Sequence, residues 1–257
     1  MLAQMYVRVL TMKIALSVVI PAHDEESSIE ETVESIAHAL MKERVPFEIV
    51  VVNDHSTDTT ATKLVGLALR IPQVRTVNNE QLPGYGRTVV GGINAAQGMY
   101  VAIMMADLSD DPEDLVRFYR TAQKTGVDCV FGSRFIQGGG TYDYPRFKMI
   151  LNRFANTLVR VLFGIRYNDC TNAFKLYKRD TLNGLRPFLS PHFNLTLELP
   201  LKAIVRGYSY TVLPNSWHNR KSGVSKLKIK EMGSRYLFIL LYCLIERYFS
   251  RGDFKKK

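Results

Sequence analysis

Cysteine is scarce in this 257-residue chain, and Cys129, Cys170 and Cys243 stand far apart with no CxxC pair among them. That spacing offers neither a disulfide framework nor a zinc site, and it suits a reducing compartment. Long apolar runs are missing as well. The longest, Tyr236 to Ile245, is about half of the roughly 20 residues a spanning helix needs, so no transmembrane segment is expected. Met1 to Lys13 is broken by Gln4, Arg8 and Lys13 and lacks a signal-peptide core with a small-residue cleavage site, so secretion is not expected. No internal repeat or low-complexity tract is visible. The formal charge of +10 would suit nucleic acid, anionic lipid or phosphorylated small molecules. With no helix-turn-helix, RNP or zinc-finger pattern to carry it, nucleic acid ranks last.

What is present is a 46% hydrophobic composition, enough for one substantial core, arranged as alternating strand-like and helix-like segments. Apolar runs at 16–20, 47–52, 74–77, 100–105 and 128–132 read as buried strands. Between them, Ser27 to Leu40 places Ile29, Val33, Ile36, Ala37 and Leu40 on one helical face, with Glu30, Glu31 and Glu34 near its start. Thr57 to Leu69 and Arg87 to Ala96 read as further helices, and Pro112 as a first helical position capped by Asp110 or Asp111. After a Gly-Gly-Gly at 138–140, a helix from Phe147 to Phe163 should stop at Gly164. The pattern is α/β: a Rossmann-like, mostly parallel sheet flanked by helices.

In such sheets ligands sit beyond the carboxyl ends of the strands, so polar clusters that follow apolar runs are the first suspects. There are four: Pro21-Ala22-His23-Asp24-Glu25-Glu26, Asn53-Asp54-His55-Ser56-Thr57-Asp58, Ala106-Asp107-Leu108-Ser109-Asp110-Asp111 and Gly132-Ser133-Arg134. Carboxylates at three neighbouring strand ends repel one another unless a cation fills the space, and Mg2+ or Mn2+ carrying a diphosphate meets that need. Asp58 and Asp111 read better as helix caps than as ligands. His23, His55 and His218 share no metal-type spacing.

These clusters resemble the family-2 glycosyltransferases, and most closely their dolichyl-phosphate mannose synthase branch, over nearly all of residues 16 to 250. The first is similar to the branch's Pro-x-Tyr-Asn-Glu, and the second to its Asp-Asp-x-Ser-x-Asp with Asn53 in first place. The resemblance implies a GT-A type fold with a nucleotide-sugar held by Pro21, Ala22, His23, Glu25, Asp54, Ala106 and Asp107. Asp107 would bind the metal with Ser109. At strand four the branch usually shows Asp-x-Asp-Leu-Gln, and this chain has Met105-Ala106-Asp107-Leu108-Ser109. Loss of one carboxylate and one amide predicts weaker metal binding, or help from Asp110.

A phosphate monoester acceptor already carries negative charge and needs no general base; it needs cations to hold it against the donor diphosphate. Arg134 matches the branch's Gly-Ser-Arg, and Lys148-x-x-x-Asn152-Arg153-x-x-Asn156 its Arg-x-x-x-Ser-Arg-x-x-Asn. Asp169 to Lys175 resembles Asp-x-x-Ser/Cys-Gly-Phe-Arg, and Arg220-x-x-Gly223-x-Ser225-Lys226 the branch's phosphate loop. By that resemblance Arg134, Lys148, Asn152, Arg220 and Lys226 hold the acceptor phosphate. Asp107, Arg134 and Asp169 form the catalytic group, with Asp169 orienting the reactants.

The expectation is inverting transfer of a hexose, from GDP-mannose or a UDP-hexose, to a polyprenyl or dolichyl phosphate. The donor half runs over about 14–134, the acceptor half over about 135–228, and an amphipathic helix with a basic tail over 229–257. That last segment combines apolar and aromatic residues with basic flanks and should lie on an anionic membrane surface, at its cytoplasmic face. A helix packed on the catalytic domain or in a dimer contact is the alternative, which leaves a homo-oligomer open. Two rival functions remain: transfer to a sugar hydroxyl with Asp110 or Asp169 as base, and a nucleotide-sugar sensor without turnover.

Overall fold

The computed structural model describes residues 13–219 and 229–256. Its centre is a seven-stranded sheet of β1 (Leu16–Ala22), β2 (Phe47–Asn53), β3 (Val74–Asn78), β4 (Tyr100–Ile103), β5 (Cys129–Ser133), β7 (Lys175–Lys178) and β8 (Tyr210–Pro214), in the order β3-β2-β1-β4-β7-β5-β8. β3, β2, β1 and β4 run parallel, as do β5 and β8, while β7 runs antiparallel between β4 and β5. A second, two-stranded sheet pairs β6 (Gly140–Tyr142) with β9 (Ser216–His218).

Eight helices are described: α1 (Ile29–Lys42), α2 (Thr60–Arg70), α3 (Tyr85–Ala95), α4 (Pro112–Thr125), α5 (Arg146–Phe163), α6 (Arg179–Gly184), α7 (Leu195–Val205) and α8 (Ile229–Phe249). Side chains alternate across the sheet and build two cores. On one face Val18, Ile20, Ile49, Val51 and Leu176 pack under α1, α2 and α4; on the other Val19, Val101, Ile103, Phe131 and Tyr177 pack under α3, α5, α7 and α8. The five strands and six helices expected from sequence are all present, with Asp111 rather than Asp110 capping α4 by accepting from Glu113 N at 2.9 Å. Gly164, at φ 57°, closes α5.

The reversed strand β7 matters most for the site. Its first residue, Lys175, pairs with Ile103 of β4 and Phe131 of β5. The chain before β7, from Asp169 to Phe174, therefore emerges at the same sheet edge as the carboxyl ends of β1, β2, β4 and β5. Two distant stretches of sequence meet along one edge.

The last helix differs from its expectation. Ile239, Leu240, Cys243 and Glu246 are buried toward α7, where Arg206 grips Glu246 through two bonds at 2.8 and 2.9 Å. Leu237, Phe238, Leu241, Ile245, Tyr248 and Phe249 face outward. Apolar residues thus occupy both sides, so α8 is not divided into an apolar and a polar face. Part of the basic tail is also spent on the body of the protein: Lys256 Nζ donates to Asp128 Oδ2 at 2.7 Å and Lys256 N to Arg206 O at 2.8 Å.

Candidate active site

β2, β1 and β4 are neighbours, so the three acidic clusters converge at their carboxyl ends. Each of the loops there contains one residue in the left-handed region: Asp24 (φ 50°), His55 (φ 57°) and Leu108 (φ 60°). Such backbone is costly away from glycine, above all for leucine, and persists where the surroundings impose it. At Leu108 the turn folds Ser109 back, so that Ser109 N donates to Asp107 Oδ1 at 3.2 Å.

The loops after β1 and β2 are cross-linked. His23 Nδ1 meets Asp54 O at 2.6 Å, and Thr57 N donates to Asp24 Oδ1 at 2.7 Å. Asp54 is buried and accepts from Asn79 Nδ2 at 2.7 Å and from Gly84 N at 3.0 Å, tying the end of β2 to the start of α3. Pro21 and Ala22 finish β1 beside Val52 and Asn53. Glu25 is held from both ends, its N–H on Thr60 Oγ1 at 2.9 Å and its carboxylate on Ser28 Oγ at 3.2 Å. Asp58 accepts from Thr60 N and Glu26 N, a turn and capping role.

At the end of β4, Ala106, Asp107, Ser109 and Asp110 are all buried. Asp110 Oδ2 accepts from Met105 N at 3.0 Å and so turns back toward the strand. Burial pushes its carboxyl up to about 7, against the Met105 N–H and with the Asp107 charge adding to the rise. Ser109 Oγ is buried and, among the described residues, has no hydrogen-bond partner. An orphaned hydroxyl beside a buried carboxylate fits a hard divalent cation. Among the described residues no three His, Cys, Asp or Glu side chains are grouped to hold a metal. Asp107 and Ser109 would therefore hold Mg2+ or Mn2+ only jointly with ligand phosphates and water, the usual habit of Mg2+.

Beyond β5, Arg134 and Asp169 pair with each other. Arg134 donates from Nε and Nη2 to Asp169 at 2.8 and 2.7 Å, and its backbone N–H adds a third bond at 3.0 Å. Their side chains are 6% and 0% exposed. Burial alone would pull the arginine down, but the Asp169 carboxylate overrides this and keeps it charged. Asp169 thus orients Arg134, and three donors leave it poorly suited to act as a base. The Phe135 ring lies under both Arg134 and Arg153, at 5.3 and 4.5 Å from their guanidinium carbons.

Asn152 Nδ2 donates to Thr171 Oγ1 at 2.9 Å, and Asn156 joins the same network, fixing α5 to the segment before β7. Lys148 is half-buried one turn earlier on α5. Lys175 is enclosed, its ammonium on the carbonyls of Cys170, Asn172 and Thr196, and burial brings it down to about 7. β9 is tied to the segment after β4: His218 N donates to Ser109 O at 3.0 Å and Ser216 N to Asp114 Oδ2 at 2.8 Å. Trp217 packs edge-on against Tyr144, and His218 stacks on Tyr142. Arg220 and Lys226 lie outside the described residues.

Sequence reasoning did not single out Tyr85, Phe193, Thr196 or Tyr236, which also reach this edge. Tyr85 packs against Phe193 with centroids 4.7 Å apart and the rings tilted by 49°, and the only signal for it was the glycine on either side, Gly84 and Gly86.

The sequence pattern of Glycosyl transferase family 2 matches residues 17–186, which include every strand end just described up to Lys175. The chain belongs to Glycosyl transferase family 2. It is 31% identical, over 82% of its length and 80% of the relative's, to polyprenol monophosphomannose synthase of Mycolicibacterium smegmatis. It is also 31% identical to dolichol-phosphate mannosyltransferase of Pyrococcus furiosus, over 84% of this chain and 60% of that one. A third relative, dodecaprenyl-phosphate galacturonate synthase of Rhizobium johnstonii, is 27% identical over 92% and 68%. Among solved structures, glucosyl-3-phosphoglycerate synthase of Mycobacterium tuberculosis with UDP superposes with a TM-score of 0.68 at 20% identity, covering 90% of this chain and 80% of that one. The same enzyme with Mn2+, UDP and phosphoglyceric acid gives 0.68 at 21%, over 90% and 78%. The fold of this family-2 glycosyltransferase is thus the GT-A type.

Proposed function

We propose that this glycosyltransferase moves a hexose from a nucleotide-sugar to a polyprenyl phosphate with inversion at the anomeric carbon. The observation that carries the reading is the pairing of one sheet edge with two charge regimes. Carboxylates at β1, β2 and β4 suit a metal-bound diphosphate, and an arginine held charged by Asp169 suits a phosphate acceptor. The named relatives, which make polyprenyl- and dolichol-phosphate sugars, support the lipid phosphate as acceptor.

In this reading the donor half, about 14–134, holds the nucleotide through Pro21, Ala22, His23, Glu25 and Asp54. The acceptor half, about 135–228, presents Arg134 and Lys148, with Arg220 and Lys226 from the phosphate loop. An oxygen of the lipid phosphate attacks the anomeric carbon as its bond to the diphosphate oxygen breaks. A divalent cation held by Asp107 and Ser109 would neutralise charge on the departing nucleoside diphosphate. Asp107 and Ala106 place it, Asp169 fixes Arg134, and Asn152 fixes α5 so that Lys148 faces the acceptor.

Two outward apolar stripes support peripheral attachment to an anionic bilayer. One is on α5, where Phe147, Ile150, Phe154, Leu158 and Val161 are exposed; the other is the outer side of α8. Arg247, on α8, bonds to Phe163 O and joins the two helices near their ends. α5 carries Arg146, Lys148, Arg153 and Arg160 and no acidic residue, the combination expected at an anionic surface. Among the described residues no helix is long and apolar enough to cross a membrane. The three cysteines, all free and buried, suit the cytoplasmic face.

A sugar hydroxyl as acceptor is the second reading, with the buried Asp110 carboxyl at the end of β4 as the base it would need. The deciding experiment incubates the purified protein with Mg2+ or Mn2+, a short polyprenyl phosphate, and labelled GDP-mannose or UDP-hexoses in turn. Label in the organic phase is expected with one donor. Nucleotide binding without any lipid label would refute the phosphate acceptor.

A further inference from the structure

Trp217 is the one tryptophan of the chain, and neither the donor nor the acceptor assignments use it. Hydrogen bonds fix where its backbone lies. Trp217 forms an antiparallel bridge with Asp110, the next residue donates from His218 N to Ser109 O at 3.0 Å, and Thr141 of β6 is the strand partner on its other side. The turn after β4, with Asp107, Ser109 and Asp110 all buried, is therefore its immediate neighbour. The ring is placed as firmly as the backbone. The indole meets the Tyr144 ring edge-on, with centroids 4.9 Å apart and planes at 65°, and the Arg134 guanidinium carbon stands over that same Tyr144 ring at 5.7 Å. A continuous line of contacts thus runs from Asp110 through Trp217 and Tyr144 to Arg134. Trp217 is only half-buried, so part of its surface stays open along that line.

A half-open indole between an acidic turn and an arginine offers no charge to a phosphate. It offers a flat apolar face bordered by polar groups, which suits a ligand that is apolar on one side and hydroxylated at its rim. A pyranose is such a ligand: its ring C–H groups cover the aromatic face while its hydroxyls turn outward to polar neighbours. We propose, resting on the glycosyl-transfer reading, that Trp217 is the platform on which the transferred hexose stacks, with Tyr144 as the positioning residue that sets the angle of the indole. In that reading Asp107 and Ser109 take the donor diphosphate and Arg134 the acceptor phosphate, and the sugar lies between them during transfer. Trp217 occupies the same interval. An isoprenoid chain, apolar all round, would gain nothing from the carboxylates and the arginine on either side.

Because Trp217 is the only indole, its fluorescence reports on this spot alone. The test follows that emission, together with affinity by calorimetry, as the protein with Mg2+ is titrated with UDP against UDP-glucose, GDP against GDP-mannose, and a short polyprenyl phosphate. For the accepted donor, the sugar nucleotide should change the emission, and the bare diphosphate should leave it near that of the free protein. Trp217→Leu should lose about tenfold in affinity for the sugar nucleotide and in kcat/KM while binding the bare diphosphate within about twofold of the parent, and Trp217→Tyr, which restores an aromatic face, should recover most of that loss. The parent's emission needs no variant, so the platform stays testable if Trp217→Leu folds poorly. An equal emission change with the bare diphosphate, a change with polyprenyl phosphate but none with the sugar nucleotide, or equal loss of both nucleotides in Trp217→Leu would overturn the platform. Label transfer to polyprenyl phosphate reports separately on the acceptor: transfer with emission and affinities indifferent to the sugar sinks the platform alone. Sugar-dependent effects without any lipid label sink the phosphate acceptor alone.

Discussion

Replacing Asp169 by asparagine keeps the shape of the Arg134 pocket and removes the carboxylate of its ion pair. The arginine side chain is 6% exposed and the carboxylate 0%, so the remaining guanidinium cannot turn to water without disturbing β5. Breaking a buried pair from one side costs about 3–5 kcal/mol. For a chain of this size that corresponds to a fall in Tm of about 6–20 °C. Removing both charges should cost far less, since apolar replacement of a buried pair is often close to neutral. In Arg134→Met/Asp169→Asn the asparagine oxygen can still accept from the residue-134 N–H, a bond made at 3.0 Å by Asp169. The double variant should therefore melt well above Asp169→Asn while remaining inactive toward polyprenyl phosphate. Thermal melts and initial transfer rates on the four proteins of this cycle separate the two roles of Arg134. A fall of less than about 2 °C in Asp169→Asn, or a double variant no more stable than the single, would refute the reasoning.

Asp107→Ala should abolish turnover and remove the Mn2+ dependence of nucleotide binding measured by calorimetry; retention of most activity contradicts the metal assignment. Ser109→Ala should leave the melting temperature unchanged or higher, because the Ser109 hydroxyl has no partner among the described residues, and should raise the metal concentration needed for half-maximal rate. Asp128 is lowered to about 2, burial being outweighed by hydrogen bonds from Lys256 and Ser209. Its contribution to stability is therefore complete above pH ~4 and lost as the pH falls through 2, so Asp128→Asn should flatten the stability profile across that window in acid-unfolding curves. Sedimentation with vesicles should show binding to phosphatidylglycerol-rich but not to neutral lipid, reduced by raised salt and by Ile150→Ser/Phe154→Ser. A loss of dimer mass without a change in vesicle binding would assign that stripe to a second copy instead.

Much of the donor side was legible because one rule governs it: short β-rich runs followed at once by Asp, Asn, Ser or Pro. That rule locates β1 to β5 and puts Asp54 and Asp107 at strand ends from the sequence alone. β7 escaped it because Lys-Leu-Tyr-Lys has charged ends and only a short apolar centre, and its burial depends on β4 and β5 on either side. α7 escaped because Leu195 to Val205 is apolar all round and contains Pro200, so neither helical periodicity nor propensity marks it. The Arg134–Asp169 pair joins residues far apart in sequence, and each was assigned separately to the reactants. Tyr85 and Tyr236 gave no pattern at all, since a hydroxyl becomes informative only when its partners, or their absence, can be seen.

The reversed strand β7 also acts as a gauge. Asp107 follows β4 and Arg134 follows β5, and exactly one strand separates these two in the sheet order. With neighbouring strands about 4.8 Å apart, the backbones that carry Asp107 and Arg134 are spaced by about 10 Å. That interval is written into the hydrogen-bond ladder rather than into any loop, so it cannot drift with loop length or with the state of the lipid. In the proposed reaction, β4 and β5 as direct neighbours would press the two phosphates together with no room for a sugar ring, and the inserted strand would set the gap across which the sugar is handed over.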